Sequence, residues 1–431
     1  MMQNECCSDR LRERYYRLTH RSGLTVYVFP KRLTGIYALL AMGFGSIDTA
    51  FSFLEEGREA RVPDGIAHFL EHKLFENEDG TDSFARFSSL GADANAYTSY
   101  NKTAYLFSCT ENFEGALEEL FSFVTHPHFT AKTIQKEIGI ISEEIRMTED
   151  NPWDRGFQLL LEALYHNHPV RNNICGTQES IRKITPKDLY DCYRAFYNLS
   201  QMSLVVCGDV EVDRVLAVAD RCLPECAEPI AVKRILKEEP TTVRNPFVSA
   251  RMQVSKPIFF FGFKDCHIDA NPEARLRRDA AMTLLGEILF SRSGDLYNAL
   301  FESGKLNPSF SVGYSGAESF AFYCLSGESD QPSEILDAVF EAVDRLRVNG
   351  IPKEEMERCR RVLYADEIRA YDSTEEIANR LLSFVLDGGE MFSYPELIES
   401  VTEQELIRLL DEVFCKENLA VAVIDPLPEQ R

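Results

Sequence analysis

Apolar and polar positions along this chain follow two periods in turn, and each change of period marks an element. Residues 24–29 and 35–44 are short runs rich in apolar and aromatic side chains around the basic turn Lys31-Arg32, which predicts two strands opening a sheet. Residues 46–63 are polar and charged and read as a loop that leads into a helix over 64–75, with Asp64 as its expected N-cap. A second helix is predicted over 83–90, ended by Gly91. Residues 92–100 and 103–108 then make two strand-like arms around Asn101-Lys102, a hairpin whose first arm carries small residues. Such an arm, if it lies at a sheet edge, lets another backbone approach closely. The helical period returns over 111–124, breaks at Pro127, and resumes over 131–147.

The second half repeats this order. Strands are predicted around 251–264, a long helix over 272–290, strands at 309–314 and 319–326, and helices as far as 414. The apolar run 419–424 mirrors the one at 204–206. This repeated order supports an α+β fold built from a duplicated unit, two domains each with a mainly antiparallel mixed sheet packed against helices. A length of 431 residues suits two cores rather than one. The boundaries expected are 1–223 for the first domain and 246–431 for the second. Between them, 224–245 mixes Pro, Glu, Lys and Arg without a period and reads as a linker. Residues 1–14 read as a polar leader without the apolar core of a signal peptide.

Charge narrows the partners. With 69 acidic and 46 basic residues the formal charge is −23, which argues against nucleic-acid backbones and anionic membranes. No run approaches the ~18 apolar residues of a membrane span. The twelve cysteines show no Cys-x-x-Cys pair; apart from the adjacent Cys6-Cys7, Cys222 and Cys226 are the nearest spaced, and reduced thiols and a cytoplasmic location are expected.

The candidate chemistry sits in His68-Phe-Leu-Glu71-His72. Positions i and i+4 of a helix share a face, so His68 and His72 can both offer a ring nitrogen to one metal ion. Glu71 falls on the same side, placed to take a proton from a water held at the metal. His-x-x-Glu-His is the inverted metallopeptidase order. Two histidines alone do not hold a catalytic zinc ion, which takes a third protein ligand and an open position. Glu137 and Glu144, seven residues apart and so on one helical face, are the candidates; that face also carries Ile141, so at least one of the two carboxylates points inward. Cysteine-rich structural zinc is not expected, since no cysteine lies near the motif. His20, His126, His128, His166, His168 and His267 lie near turns and read as surface or capping residues.

These segments, His68-x-x-Glu71-His72, Asn95-Ala96-Tyr97-Thr98 and the Glu137 to Glu144 stretch followed by Asp150-Asn-Pro152, together resemble the pitrilysin and insulinase metallopeptidases, which include mitochondrial processing peptidase. The likeness extends over essentially the whole chain and is greatest to small two-domain bacterial members. It implies that the two domains face each other as half of a clamshell and that only the first is active. It further implies that His68, His72 and Glu144 hold Zn2+, that Glu71 is the general base, and that Glu137 orients the site from behind a ligand. Asn95 and Ala96 would lie on the edge strand that pairs with substrate. The activity implied is zinc-dependent hydrolysis of extended oligopeptides; the alternative is a weak or inactive subunit of the same fold.

One departure matters. In that family the second domain supplies an arginine and a tyrosine that grip substrate and stabilise the oxyanion. Here the matching stretch, Asp295-Leu-Tyr-Asn-Ala-Leu-Phe301-Glu, carries Phe301 at the arginine position, and Phe310 stands at the tyrosine position. The resemblance therefore implies a heterodimer with a paralogous subunit that supplies the pair, unless Tyr297 or Tyr314 substitutes and the chain acts alone or as a homodimer.

Overall fold

The five strands at the centre of each half are paired in the same way. In the first half, β3 (Thr25–Pro30) runs parallel to β9 (Met202–Gly208), and antiparallel partners follow in the order β4 (Ile36–Met42), β8 (Thr103–Cys109), β7 (Asp93–Thr98). In the second, β11 (Phe247–Met252) runs parallel to β15 (Leu419–Pro426), followed by antiparallel β12 (Ile258–Lys264), β14 (Ala321–Glu328) and β13 (Ser311–Gly316). The chain is thus a two-domain α+β protein whose sheets have one topology. These relationships come from a computed structural model that describes residues 3–225 and 228–428; Cys226 lies outside them, as does part of the expected linker.

The middle strands explain themselves. Ile-Tyr-Ala-Leu-Leu-Ala-Met of β4 and Ile-Phe-Phe-Phe-Gly-Phe-Lys of β12 are buried at every residue, because each sheet is covered on both faces. One face of the first sheet packs on helices of its own half. The other, bearing Tyr15, Phe29, Tyr37 and Leu39, is covered by Ile377, Leu381 and Leu382 of a helix from the second half, Thr374–Leu386. The exchange is reciprocal: the helix Pro152–Leu164 of the first half lays Leu160 and Leu164 on Phe260, Phe322 and Ala422 of the second sheet. Gly156 permits that approach, since a Cβ there would stand 2.2 Å from the Phe260 ring.

Several expectations change. The supposed leader forms β1 (Gln3–Ser8) and β2 (Glu13–Thr19), a hairpin that extends the first sheet beyond β3. The expected loop 46–63 holds β5 (Ala50–Phe53) and β6 (Arg58–Arg61), and the linker supplies β10 (Val232–Arg234) as their third strand. Farther along the linker, Glu239 accepts the backbone N–H groups of His166, Asn167 and His168 at 2.7–2.8 Å and the Lys264 ammonium at 2.7 Å. His20 and His168 are buried rather than superficial, although His168 does cap the short helix Pro169–Arg171, its Nδ1 accepting the Val170 N–H. Among the described residues the cysteines are unpaired, and no helix is long and apolar enough to cross a membrane.

Candidate metal centre

The motif helix, Ile66–Leu74, begins at Gly65 and not at an Asp64 cap: Gly65 takes a left-handed conformation (φ 88°) and no side chain caps the helix. The reason is a loop pressed against it. A Cβ on Gly65 would stand 2.4 Å from the Cys175 carbonyl oxygen, and one on Gly176 would stand 2.5 Å from the Asp64 carbonyl oxygen. Two glycines in positive φ therefore let the loop around 175 close over the start of the helix.

His68 and His72 stand one turn apart with ring centroids 4.5 Å from each other. Opposite them runs the helix Ala131–Asp150, started by the Thr130/Thr133 capping box and anchored inward by Ile134, Ile138, Ile141 and Ile145. That anchoring turns Glu137 and Glu144 towards the motif helix. Glu144 Oε1 lies 3.4 Å from His68 Nε2, and its Oε2 lies 3.6 Å from His72 Nε2. On the other side of the same imidazole, Glu137 Oε1 is 3.1 Å from His72 Nδ1. Glu143 points away and pairs with Arg146 at the surface.

His68, His72 and Glu144 offer three ligand atoms within 4.8 Å of one another, the one such group of His, Cys, Asp and Glu among the described residues. Donor types and spacing suit zinc. Electrostatics agree: burial opposes charge on His68, but its bonds to Cys175 and Glu144 outweigh burial and carry the ring pKa up to about 10. Surroundings that hold a positive charge on an imidazole favour one on a metal ion as well. The bond to His68 holds the Glu144 carboxyl below its usual range.

Glu71 is buried beside this cluster, its Oε2 accepting from Thr98 Oγ1 at 2.5 Å. Burial raises the Glu71 carboxyl pKa, against the pull of His68 and the Thr98 bond. Thr98 ends β7, which pairs with β8 on one side and, among the described residues, has no strand on the other. Asn95 is exposed on that strand, and the Ala96 N–H donates to the Asn95 side chain at 2.9 Å instead of to a strand. The edge therefore has a main-chain donor for a further strand to take over.

Three neighbours were not read from the sequence. Thr98 holds Glu71. Lys73 is fully buried behind the motif, paired with Glu76 and 3.9 Å from Glu137 Oε2. Cys175 corrects the view that no cysteine is near: its Sγ is 4.0 Å from His68 Nε2, although it is remote in the chain. The sequence reads as a loop over 171–176, but nothing in it brings that loop to the motif helix.

In the second domain, Phe301 is exposed and stacks on buried Tyr297 with centroids 5.7 Å apart, while Phe310 is buried. Tyr314 donates its hydroxyl to Asp265 at 2.8 Å, and Asp265 is also held by Arg278.

Two sheets of one topology, with His-x-x-Glu-His in one copy and not in the other, define a two-domain inverzincin fold. The sequence profile of the insulinase family (peptidase family M16) matches residues 58–178, and that of the peptidase M16 inactive domain matches residues 183–363. An uncharacterized zinc protease, YmfH, of Bacillus subtilis strain 168 is 35% identical over 423 residues, 97% of this chain and 98% of that one. The beta subunit of mitochondrial-processing peptidase from Caenorhabditis elegans is 25% identical, with 88% and 85% covered. The crystal structure of an M16-like peptidase from Alicyclobacillus acidocaldarius superposes with a TM-score of 0.91 at 30% identity, covering 99% of each chain. The chain belongs to the insulinase family, peptidase family M16.

Proposed function

We propose that the chain is a zinc-dependent endopeptidase acting on extended oligopeptides. The observation that carries this reading is the convergence of His68, His72 and Glu144, with buried Glu71 next to them and the free edge of β7 alongside. His68 and His72 through Nε2, and Glu144 through its carboxylate, would hold the ion. When bound, zinc polarises a carbonyl and makes water acidic enough to attack at neutral pH.

The chain's own groups do the rest. An extended peptide lies along β7 and accepts the Ala96 N–H in place of Asn95, as strand addition requires. Glu71 takes the proton of the attacking water and delivers it to the leaving amine, its carboxylate kept in place by Thr98. Glu137, on Nδ1 of His72, fixes that ring's tautomer.

The oxyanion is the weak point. Phe301 and Phe310 donate no hydrogen bond, and the Tyr314 hydroxyl is already given to Asp265. One missing oxyanion donor costs roughly 10²–10³ in turnover. The active form is therefore a heterodimer, in which a paralogous subunit supplies the arginine and tyrosine. The subunit name borne by the nematode relative supports an assembly of this kind. The unpaired thiols support a reducing, cytoplasmic setting. Zinc content of the purified chain, and peptide cleavage by it alone and with the candidate paralogue, test these points. An absence of stoichiometric zinc rejects the peptidase reading, and full activity alone rejects the need for a partner.

A further inference from the structure

We propose that Lys73 is a positioning residue of this centre, acting on His72 through Glu137; the proposal rests on the zinc-peptidase reading above. Lys73 follows His72 directly, so it projects about 100° further round the helix, into the interior. Its side chain is 0% exposed. A buried ammonium is expensive unless carboxylates surround it. Two do: Glu76, and Glu137 with Oε2 at 3.9 Å. Their needs differ. The Glu76 side chain is 26% exposed and has water available, whereas that of Glu137 is 9% exposed. Among the described residues, Lys73 and His72 are the cationic side chains in ion-pair range of Glu137.

The consequence is geometric. Glu137 Oε1 is hydrogen-bonded to His72 Nδ1, and its Oε2 faces the Lys73 ammonium at 3.9 Å, an ion pair without a hydrogen bond. The buried ammonium favours the carboxylate orientation that leaves Oε1 on Nδ1, and that bond keeps His72 Nε2 aimed between His68 and Glu144. Lys73 and His72 belong to one helix and Glu137 to the other, so the contact also ties together the two helices that carry the three candidate ligands.

The test is a thermodynamic cycle in zinc affinity, measured by chelator competition on the full chain. Lys73→Met removes the charge at similar length and should weaken zinc by the roughly 10–100-fold expected when an outer partner of a ligand is lost. Glu137→Gln should do the same. The double variant should be no more than about threefold worse than Glu137→Gln, because the lysine then has nothing to act through. Lys73→Arg should restore most of the affinity, and the visible spectrum of the cobalt(II)-loaded protein should shift in Lys73→Met and return in Lys73→Arg. Lys73→Gln replaces any Met variant whose near-ultraviolet circular dichroism shows that it has not folded. Wild-type zinc affinity in the neutral variant, or losses that multiply in the double, overturn the proposal. A wild-type chain that takes up no zinc overturns the zinc reading itself, and the part of Lys73 with it.

Discussion

Glu137 meets His72 at 3.1 Å on the ring nitrogen that faces away from Glu144, so one imidazole lies between two carboxylates of a single helix. Their tasks should separate by mutation. Glu144→Gln is expected to abolish stoichiometric zinc, and Glu137→Gln to weaken it by about 10–100-fold. Glu71→Gln should keep zinc while peptide cleavage falls by about 10²–10⁴-fold. Metal analysis beside a fluorogenic peptide assay reads all three. Loss of zinc from Glu137→Gln with retention in Glu144→Gln would exchange the two assignments.

The open edge of β7 can be blocked without touching the metal. Proline is tolerated on an edge strand where its missing N–H faces solvent, and the Ala96 N–H is given to the Asn95 side chain. Ala96→Pro should therefore fold and bind zinc normally. It should lose one main-chain hydrogen bond to substrate, worth about 0.5–1.5 kcal/mol, and raise KM by roughly 2–10-fold. An unchanged KM across a peptide series would place the substrate elsewhere.

His168 gives the domain contact a pH dependence. Its Nδ1 accepts the Val170 N–H at 3.1 Å and its Nε2 lies 3.0 Å from Ser319 Oγ of the second domain. Burial lowers its pKa to about 4, from an ordinary value of 6.5. Since the folded value lies below the unfolded one, the unfolded chain binds the proton first as pH falls. The neutral ring's contribution is thus complete above pH ~6.5 and is lost towards pH ~4, a change of about 3 kcal/mol at most. Thermal melts across that interval should show a shallower decline in His168→Gln than in wild type.

Reciprocal exchange of the helices Pro152–Leu164 and Thr374–Leu386 predicts how the chain responds to cutting. A protease nick within 224–245 should give two bands of comparable size on a denaturing gel and a single peak under native conditions. Gly156→Ala forces a methyl group onto the Phe260 ring and should cost about 1–3 kcal/mol, visible as a lower Tm. Nicked halves that separate without denaturant would show the exchange to be weak.

Local patterns carried most of the fold and the heart of the site. The helix Pro272–Phe290 was legible to the residue, and the i, i+4 histidines and the face shared by Glu137 and Glu144 follow from helical period alone. Residues acting across the fold were not legible. Thr98, Lys73 and Cys175 reach the site only after the hairpin, the helix pair and the loop around 175 are assembled. Short polar strands were missed for a different reason. Gln-Asn-Glu-Cys-Cys-Ser of β1 is an edge strand with little to bury, and β5 and β6 have four residues each. The crossed helices were hidden because an amphipathic stretch shows which of its faces is apolar, not which sheet will cover that face.

The crossing also sets a schedule for synthesis. Once β9 has emerged, the first sheet has all its strands, yet the face bearing Tyr15, Tyr27, Phe29 and Leu39 has no cover until the helix Thr374–Leu386 leaves the ribosome. Roughly 170 residues separate the two events, which at 5–20 residues per second leaves an aromatic surface bare for about 10–30 s. For that interval the nascent chain offers chaperones, or its neighbours, a surface that the finished protein never presents.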